Sequence, residues 1–278
     1  MVSVQNRIFA PLENEEMNLE FYKYQGTGND FVMIDNRDHK VSKNNTKLIQ
    51  RLCDRRFGIG GDGLILLEKP DIADDDFKMV YFNADGNPSS MCGNGGRCLV
   101  AFANFLGIVQ QTARFTAIDG PHEATINNDI VSLKMQNVTN IKLQEEFSYL
   151  DTGSPHHVLF VNNIASEDVK TNGAEIRYSE MYKGNNGTNV NFVQQMDDEL
   201  LKVRTYERGV EDETFSCGTG VTAVAIAAYE TGRIKSREVQ IETPGGSLKV
   251  SFVKTARGFE NIWLIGPAVQ VFKGNIVC

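Results

Sequence analysis

The stretch "MCGNGGRCLVAFANFLG" (residues 91–107) sets Cys92 and a Gly-Asn-Gly-Gly turn at the head of an apolar run that stops at Gly107. The run is apolar on every side, so a helix built from it belongs inside a structure, wrapped by sheet. Gly107 suits the left-handed residue just past its end. Far downstream, "SCGTGVTAVAIAAYETG" (216–232) has the same plan. Cys217-Gly218-Thr219-Gly220 echoes Cys92-Gly93-Asn94-Gly95 at an offset of 125, and Gly232 falls on Gly107. Laid without a gap, 27–120 on 152–245 has ten identities in 94 positions, and Gly120 falls on Gly245. The count is modest, but half of the matches are glycines at punctuation points, where backbone geometry is what is held. Before Cys92, "FKMVYFNADG" (77–86) alternates as a strand does and ends in a turn at Asp85-Gly86. Each half therefore reads as strands around one buried helix, with a cysteine at the helix start.

The bulk numbers bound the class. A chain of 278 residues, 41% apolar and 23% charged, is ordinary for a globular protein of one large or two moderate domains. Its net charge of -8 disfavours nucleic acid and anionic membranes as partners. No run approaches the ~18 apolar residues of a membrane span. The opening "MVSVQNRIFAPLENEEMNLE" is acidic and lacks an apolar signal core. Residues 1–16 read as an extension, non-native or disordered, with Met17 as an alternative start. Five cysteines, an odd and scattered set, make no disulfide framework and favour a reducing compartment, the cytoplasm. Neither zinc spacing nor a phosphate-loop lysine motif is present, and Asp74-Asp75-Asp76 reads as a solvated loop, so no metal site is expected.

The helix starts carry the chemistry. The first turn has N–H groups without intrahelical partners and a partial positive charge. A thiol there is expected below its usual ~8.5, and the glycines let the backbone approach a carboxylate or phosphate. Two such thiols facing each other suit removal of a proton from one face of a carbon and its return to the other. An anion-binding module explains the glycines but not both thiols. A redox pair Cys92–Cys98 needs residues six apart on one helix to meet. Cys53, Cys98 and Cys278 lack the setting and read as structural.

"MCGNGGRC", "ERGVEDETFSCGTG" (207–220) and "KYQGTGNDFVMID" (23–35) together resemble the diaminopimelate epimerase family, in order and across nearly the whole chain from Phe21. The resemblance implies an α/β fold of the α+β type, with two pseudo-symmetric domains, each a curled sheet or barrel around a central helix. It implies domains at 17–136 plus 265–278 and at 137–264. It implies a cofactor-independent isomerase that converts LL-2,6-diaminopimelate to the meso form for lysine and peptidoglycan synthesis, and a homodimer. By position, Cys92 and Cys217 match the catalytic pair, with His156 accompanying Cys92 and Glu207 near Cys217. Gly93, Asn94, Gly218 and Thr219 match the backbone groups that hold the reacting carboxylate. Asn29, Asn83, Ser154, Asn189, Glu207 and Arg208 match substrate contacts, Arg208 for the distal carboxylate. Many members carry asparagine at Ser154, and some carry glutamine at Gly63. A proline or hydroxyproline epimerase of the same fold is the nearest rival; that family has histidine where Asn94 stands. A phenazine-type isomerase, which replaces the cysteine pair, is more remote.

Overall fold

The computed structural model describes residues 17–278; the extension expected over 1–16 lies outside the described residues. The first half contains β1 (Asn18–Gly26), β2 (Asn29–Asp35), α1 (Thr46–Cys53), β3 (Gly63–Glu68), β4 (Phe77–Asn83), α2 (Gly93–Phe105), β5 (Thr112–Ala117), β6 (Gly120–Asn127) and β7 (Ile130–Lys134). A short β8 (Ile141–Leu143) leads to the second half. That half contains β9 (Phe147–Asp151), β10 (Pro155–Phe160), α3 (Val169–Arg177), β11 (Asn189–Gln195), β12 (Leu200–Glu207) and β13 (Asp212–Thr214). It continues through α4 (Gly218–Glu230), β14 (Glu238–Thr243), β15 (Gly246–Thr255) and β16 (Gly258–Pro267), and β17 (Val269–Val277) ends the chain.

The pairing order repeats. From β1 to β7 successive strands pair antiparallel, parallel, antiparallel, parallel, antiparallel, antiparallel. The series β9, β10, β11, β12, β14, β15, β16 pairs in the same sequence of senses. The offset of 125 carries α2 onto α4 end to end. The halves join where their last strands, β7 and β16, pair antiparallel, and β17 returns to pair with β1. The expected pseudo-symmetric α/β architecture is what the pairing shows.

Composition explains the layers. In α2 every residue from Gly93 to Ala103 is buried, and in α4 every residue from Gly220 to Ala228. Phe31, Phe77 and Phe115 wrap α2, while Val158, Ile241 and Leu264 wrap α4. Burying one such side chain contributes about 1.5–3 kcal/mol, so these two axes dominate the stability of their halves. The strands "FVMI" of β2 and "LILL" of β3 are apolar on both faces because α1 covers their outer side. Both central helices end at a left-handed glycine, Gly107 at φ 72° and Gly232 at φ 70°. One detail of the gapless alignment slips. The left-handed partner of Gly120 is Gly246, which opens β15 as Gly120 opens β6, and not Gly245. Loops between the halves differ by a residue while the element order is kept.

Candidate active site

The two central helices meet start to start. A Cβ added to Gly218 would stand 3.3 Å from the Gly93 Cα and 2.8 Å from the Leu264 side chain, so a side chain there would crowd the Gly93 backbone and push Leu264 aside. Cys92 and Cys217 are the residues that precede these glycines, both in extended backbone, and neither side chain caps its own helix. Each thiol is thus presented at the junction. Asn94, on the first turn of α2, donates to the Ser216 carbonyl at 3.1 Å and stitches one helix start to the other.

Burial sets the charge state of the thiols. Loss of water pushes Cys92 up to about 11, against the pull of the Gly95 and Asn94 backbone N–H groups. Cys217, 8% exposed, is pushed up further by burial and by Glu207, against Thr219 and Gly220. The sequence expectation of lowered thiols is reversed in this state, because desolvation outweighs the helix-start donors. Burial also raises the Glu207 carboxyl, whose Oε2 accepts from Thr214 Oγ1 at 2.9 Å. Its charge bears on both thiols.

His156 lies on β10, fully buried. Asn191 Nδ2, on the neighbouring β11, donates to His156 Nδ1 at 3.1 Å and to the His157 carbonyl, while Asn191 Oδ1 accepts from Thr205. These bonds fix the amide orientation and leave the proton on Nε2, which donates to Thr219 Oγ1 at 2.9 Å. The Thr219 hydroxyl then faces Cys217 Sγ at 3.4 Å. Expected beside Cys92, His156 has its hydrogen-bonded route to the Cys217 side, because β10 and β11 line the second half's helix start. Burial, with Arg208 adding, pushes the ring down to about 3. A folded value below the unfolded ~6.5 means the neutral ring stabilises fully above pH 6.5 and loses that contribution as pH falls towards 3. His156→Gln is expected to flatten the fall of Tm over that range; an unchanged pH dependence of Tm contradicts it.

A second cluster lies beside the junction. Asn189 Nδ2 donates to Ser154 Oγ and to the Pro155 carbonyl, both at 2.9 Å, and its Oδ1 accepts the Arg208 N–H at 2.9 Å. Arg208 Nη2 stands 3.5 Å from Ser154 Oγ, and no carboxylate pairs with this guanidinium among the described residues. On the first half, Asn29 Oδ1 stands 3.6 Å from Cys92 Sγ and 3.4 Å from Asn94 Nδ2. Its Nδ2 donates to Asp62 at 2.6 Å, and Arg55 bridges Asp62 to Asp30. Asn83 ends β4 exposed and opens the turn to Gly86; among the described residues its side chain has no hydrogen bond. Asp75 and Asp76 instead fasten β5, bonding Thr116 and the Arg114 N–H.

The family model for diaminopimelate epimerase matches residues 21–140 and 148–271. A diaminopimelate epimerase of Flavobacterium psychrophilum is 58% identical over 93% of this chain and the whole of that protein. Another, of Aquifex aeolicus, is 38% identical over 93% of this chain and 98% of its own. The chain belongs to the diaminopimelate epimerase family. Among solved structures, a PhzF-family phenazine biosynthesis protein of Bacillus anthracis superposes with a TM-score of 0.74 at 12% identity, covering 94% of this chain and 99% of its own. A hydroxyproline epimerase of Agrobacterium vitis superposes at 0.66 and 13% identity, covering 94% and 93%. At those identities they show that the fold is shared.

Two departures from the diaminopimelate epimerase pattern now have a physical setting. At Gly63 a Cβ would fall 2.5 Å from the Phe82 carbonyl and from the Tyr81 ring. Tyr81 occupies the room a glutamine would need. Ser154 is short, but Asn189 holds it against Arg208. The sequence reading passed over Asn191, Thr205, Asp62 and Ser216. Only Asn191 left a signal, an inward polar residue two positions from Asn189 on a buried strand.

Proposed function

We propose that this protein inverts one α-carbon of LL-2,6-diaminopimelate to give meso-diaminopimelate, with Cys92 and Cys217 as the acid–base pair. The observation that carries the reading is the contact of the two helix starts, Gly93 on Gly218, with a cysteine heading each. One cysteine, as thiolate, takes the α-proton from one face, and the other, as thiol, gives a proton to the opposite face. The reverse reaction exchanges the roles, and substrate and product keep the same composition. First-turn N–H groups of Gly93, Asn94, Gly218 and Thr219 hold the α-carboxylate, into which the carbanion charge spreads. Glu207 and the His156–Thr219 pair tune the Cys217 side. Arg208 takes the distal carboxylate, with Ser154, Asn29, Asn83 and Asn189 shaping its surroundings. The junction of the helix starts lies between the proposed domains, 17–136 plus 265–278 and 137–264, the second boundary falling within β16.

Proton NMR in D₂O with LL-diaminopimelate and reduced protein tests the reading. Loss of the α-proton signal together with appearance of the meso isomer is expected, and proline is expected to keep its α-proton. No exchange on diaminopimelate from folded protein with both thiols free defeats the proposal; exchange on proline alone favours the rival family.

We also propose a homodimer in the cytoplasm. Strand β17 pairs only with β1 among the described residues and exposes Val269, Val271, Phe272 and Val277, an apolar edge that invites cover. A dimer mass by light scattering is expected, and a monomer at micromolar concentration contradicts it. All five cysteines are free, and a reducing compartment would keep the proposed catalytic pair as thiols. No helix among the described residues is long and apolar enough to cross a membrane.

A further inference from the structure

Arg97 heads the fully buried side chains in size, with no exposed surface. Its guanidinium has one hydrogen bond, from Nη2 to Thr27 Oγ1 at 3.2 Å, and leaves Nε and Nη1 without partners. No carboxylate pairs with it among the described residues. The titratable groups that face it are the Cys92 and Cys98 thiols of its own helix. The strands packed against it bring Gly26 of β1 and Gly266 of β16, neither of which ionises.

Three physical costs coincide here. An unpaired buried charge is expensive, and so is a buried N–H without an acceptor. Helical side chains lean back over the preceding turn, so Arg97 carries its charge towards the α2 start, where the helix is already positive. Thr27, the partner of Arg97, is a β-branched residue at φ 51°, a conformation that such residues rarely hold.

The partners of Arg97 lead across the junction. Thr27 Oγ1 lies 2.7 Å from Ser216 Oγ, which donates to the Thr27 carbonyl at 2.8 Å. Ser216 Oγ and its carbonyl both accept from Asn94 at 3.1 Å. The protons run one way, from the guanidinium to Thr27, from Thr27 to Ser216, and from Ser216 back to the Thr27 carbonyl. Ser216 immediately precedes Cys217, so the network fixes where α4 begins relative to α2.

We propose that Arg97 is a positioning residue of the proton-transfer site, locking the start of α4 to the start of α2 through Thr27 and Ser216. The anion that balances its charge is the one gathered between the helix starts during turnover, thiolate and substrate carboxylate together. This rests on the two-thiol reading above. In the free protein the guanidinium has no carboxylate partner among the described residues; once one thiol has given its proton to solvent and the α-carboxylate has arrived, cation and anions sit at one buried junction. Arg97 also opposes the rise of the Cys92 thiol.

The test measures iodoacetamide alkylation of Cys92 against pH in a Cys217→Ala background, read by mass spectrometry of the Cys92 peptide, with Tm and, with Cys217 intact, kcat and KM. Arg97→Met is expected to keep or raise Tm, since an unpaired buried charge is gone. Its alkylation midpoint is expected to move up by about one pH unit, a tenfold loss of thiolate, with kcat down by about tenfold. Arg97→Lys is expected to restore most of the midpoint. Should Arg97→Met fail to fold, Arg97→Gln carries the same reading, since it drops the charge and keeps a donor for Thr27. An unchanged midpoint together with unchanged kcat in the neutral variant overturns the proposal. Alkylation needs no substrate, so a parent that shows no α-proton exchange on diaminopimelate defeats the epimerase reading without touching the Arg97 result.

Discussion

Cys92→Ala and Cys217→Ala are each expected to lose epimerisation by about 10²–10⁴-fold, the contribution of a well-placed proton-transfer group. Inversion needs a proton taken from one face and another returned to the opposite face. With one thiol gone, the remaining one serves a single face. Each variant should therefore still exchange the α-proton slowly in one stereoisomer only, and the two variants should favour opposite stereoisomers. That complementarity follows from the contact of two separate helix starts, one cysteine before each. Global unfolding does not reproduce it, because unfolded protein exchanges neither isomer. Cys→Ser keeps a hydroxyl that relays protons poorly and should fall between parent and alanine. NMR in D₂O on LL and meso substrates separates these outcomes. Parent-level inversion in either alanine variant would falsify the two-base mechanism.

What could be read without the fold was held in backbone geometry. The offset of 125 is visible because α2 and α4 need glycines at the same places, at their touching starts and their left-handed ends. The strands needed only alternation or apolar runs, so their identities drifted while the order of senses persisted; no count of matches could show that order. The thiols were legible as residues but not in their charge state. A helix start lowers a thiol, burial raises it, and only the packed structure decides that burial wins at Cys92 and Cys217. The partner of His156 was hidden for a similar reason: it depends on β10 lying parallel to β11, which places Asn191 behind the ring and Thr219 before it. Arg97 gave no sign at all. An arginine in a helix ordinarily reaches for water along its stem, and nothing in "CGNGGRC" says that Gly26 and Gly266 close over this one.

Arg208→Ala is expected to lower kcat/KM for LL-diaminopimelate by about 10- to 100-fold, mostly through KM, the loss that follows when a charged hydrogen-bond donor is removed. The guanidinium has no carboxylate partner among the described residues, and its backbone is pinned by Asn189 Oδ1 at 2.9 Å. On the proposed function, a held arginine without a counter-ion beside the junction is the group expected to receive the distal carboxylate. Arg208→Lys keeps the charge but loses the planar fork, so it should recover only part of the loss. The comparison that isolates the contact uses L-lysine, which resembles diaminopimelate without the distal carboxylate. Parent protein should bind it far more weakly than diaminopimelate, and Arg208→Ala should narrow that gap by the factor it costs on diaminopimelate. If KM stays put in Arg208→Ala while kcat falls for both compounds alike, the guanidinium acts on His156 and the chemistry, and the distal carboxylate is held elsewhere. Ser154→Ala separates the remaining possibility. Its hydroxyl stands 3.5 Å from Arg208 Nη2, so a contact that only aims the guanidinium should raise KM less than loss of the arginine does.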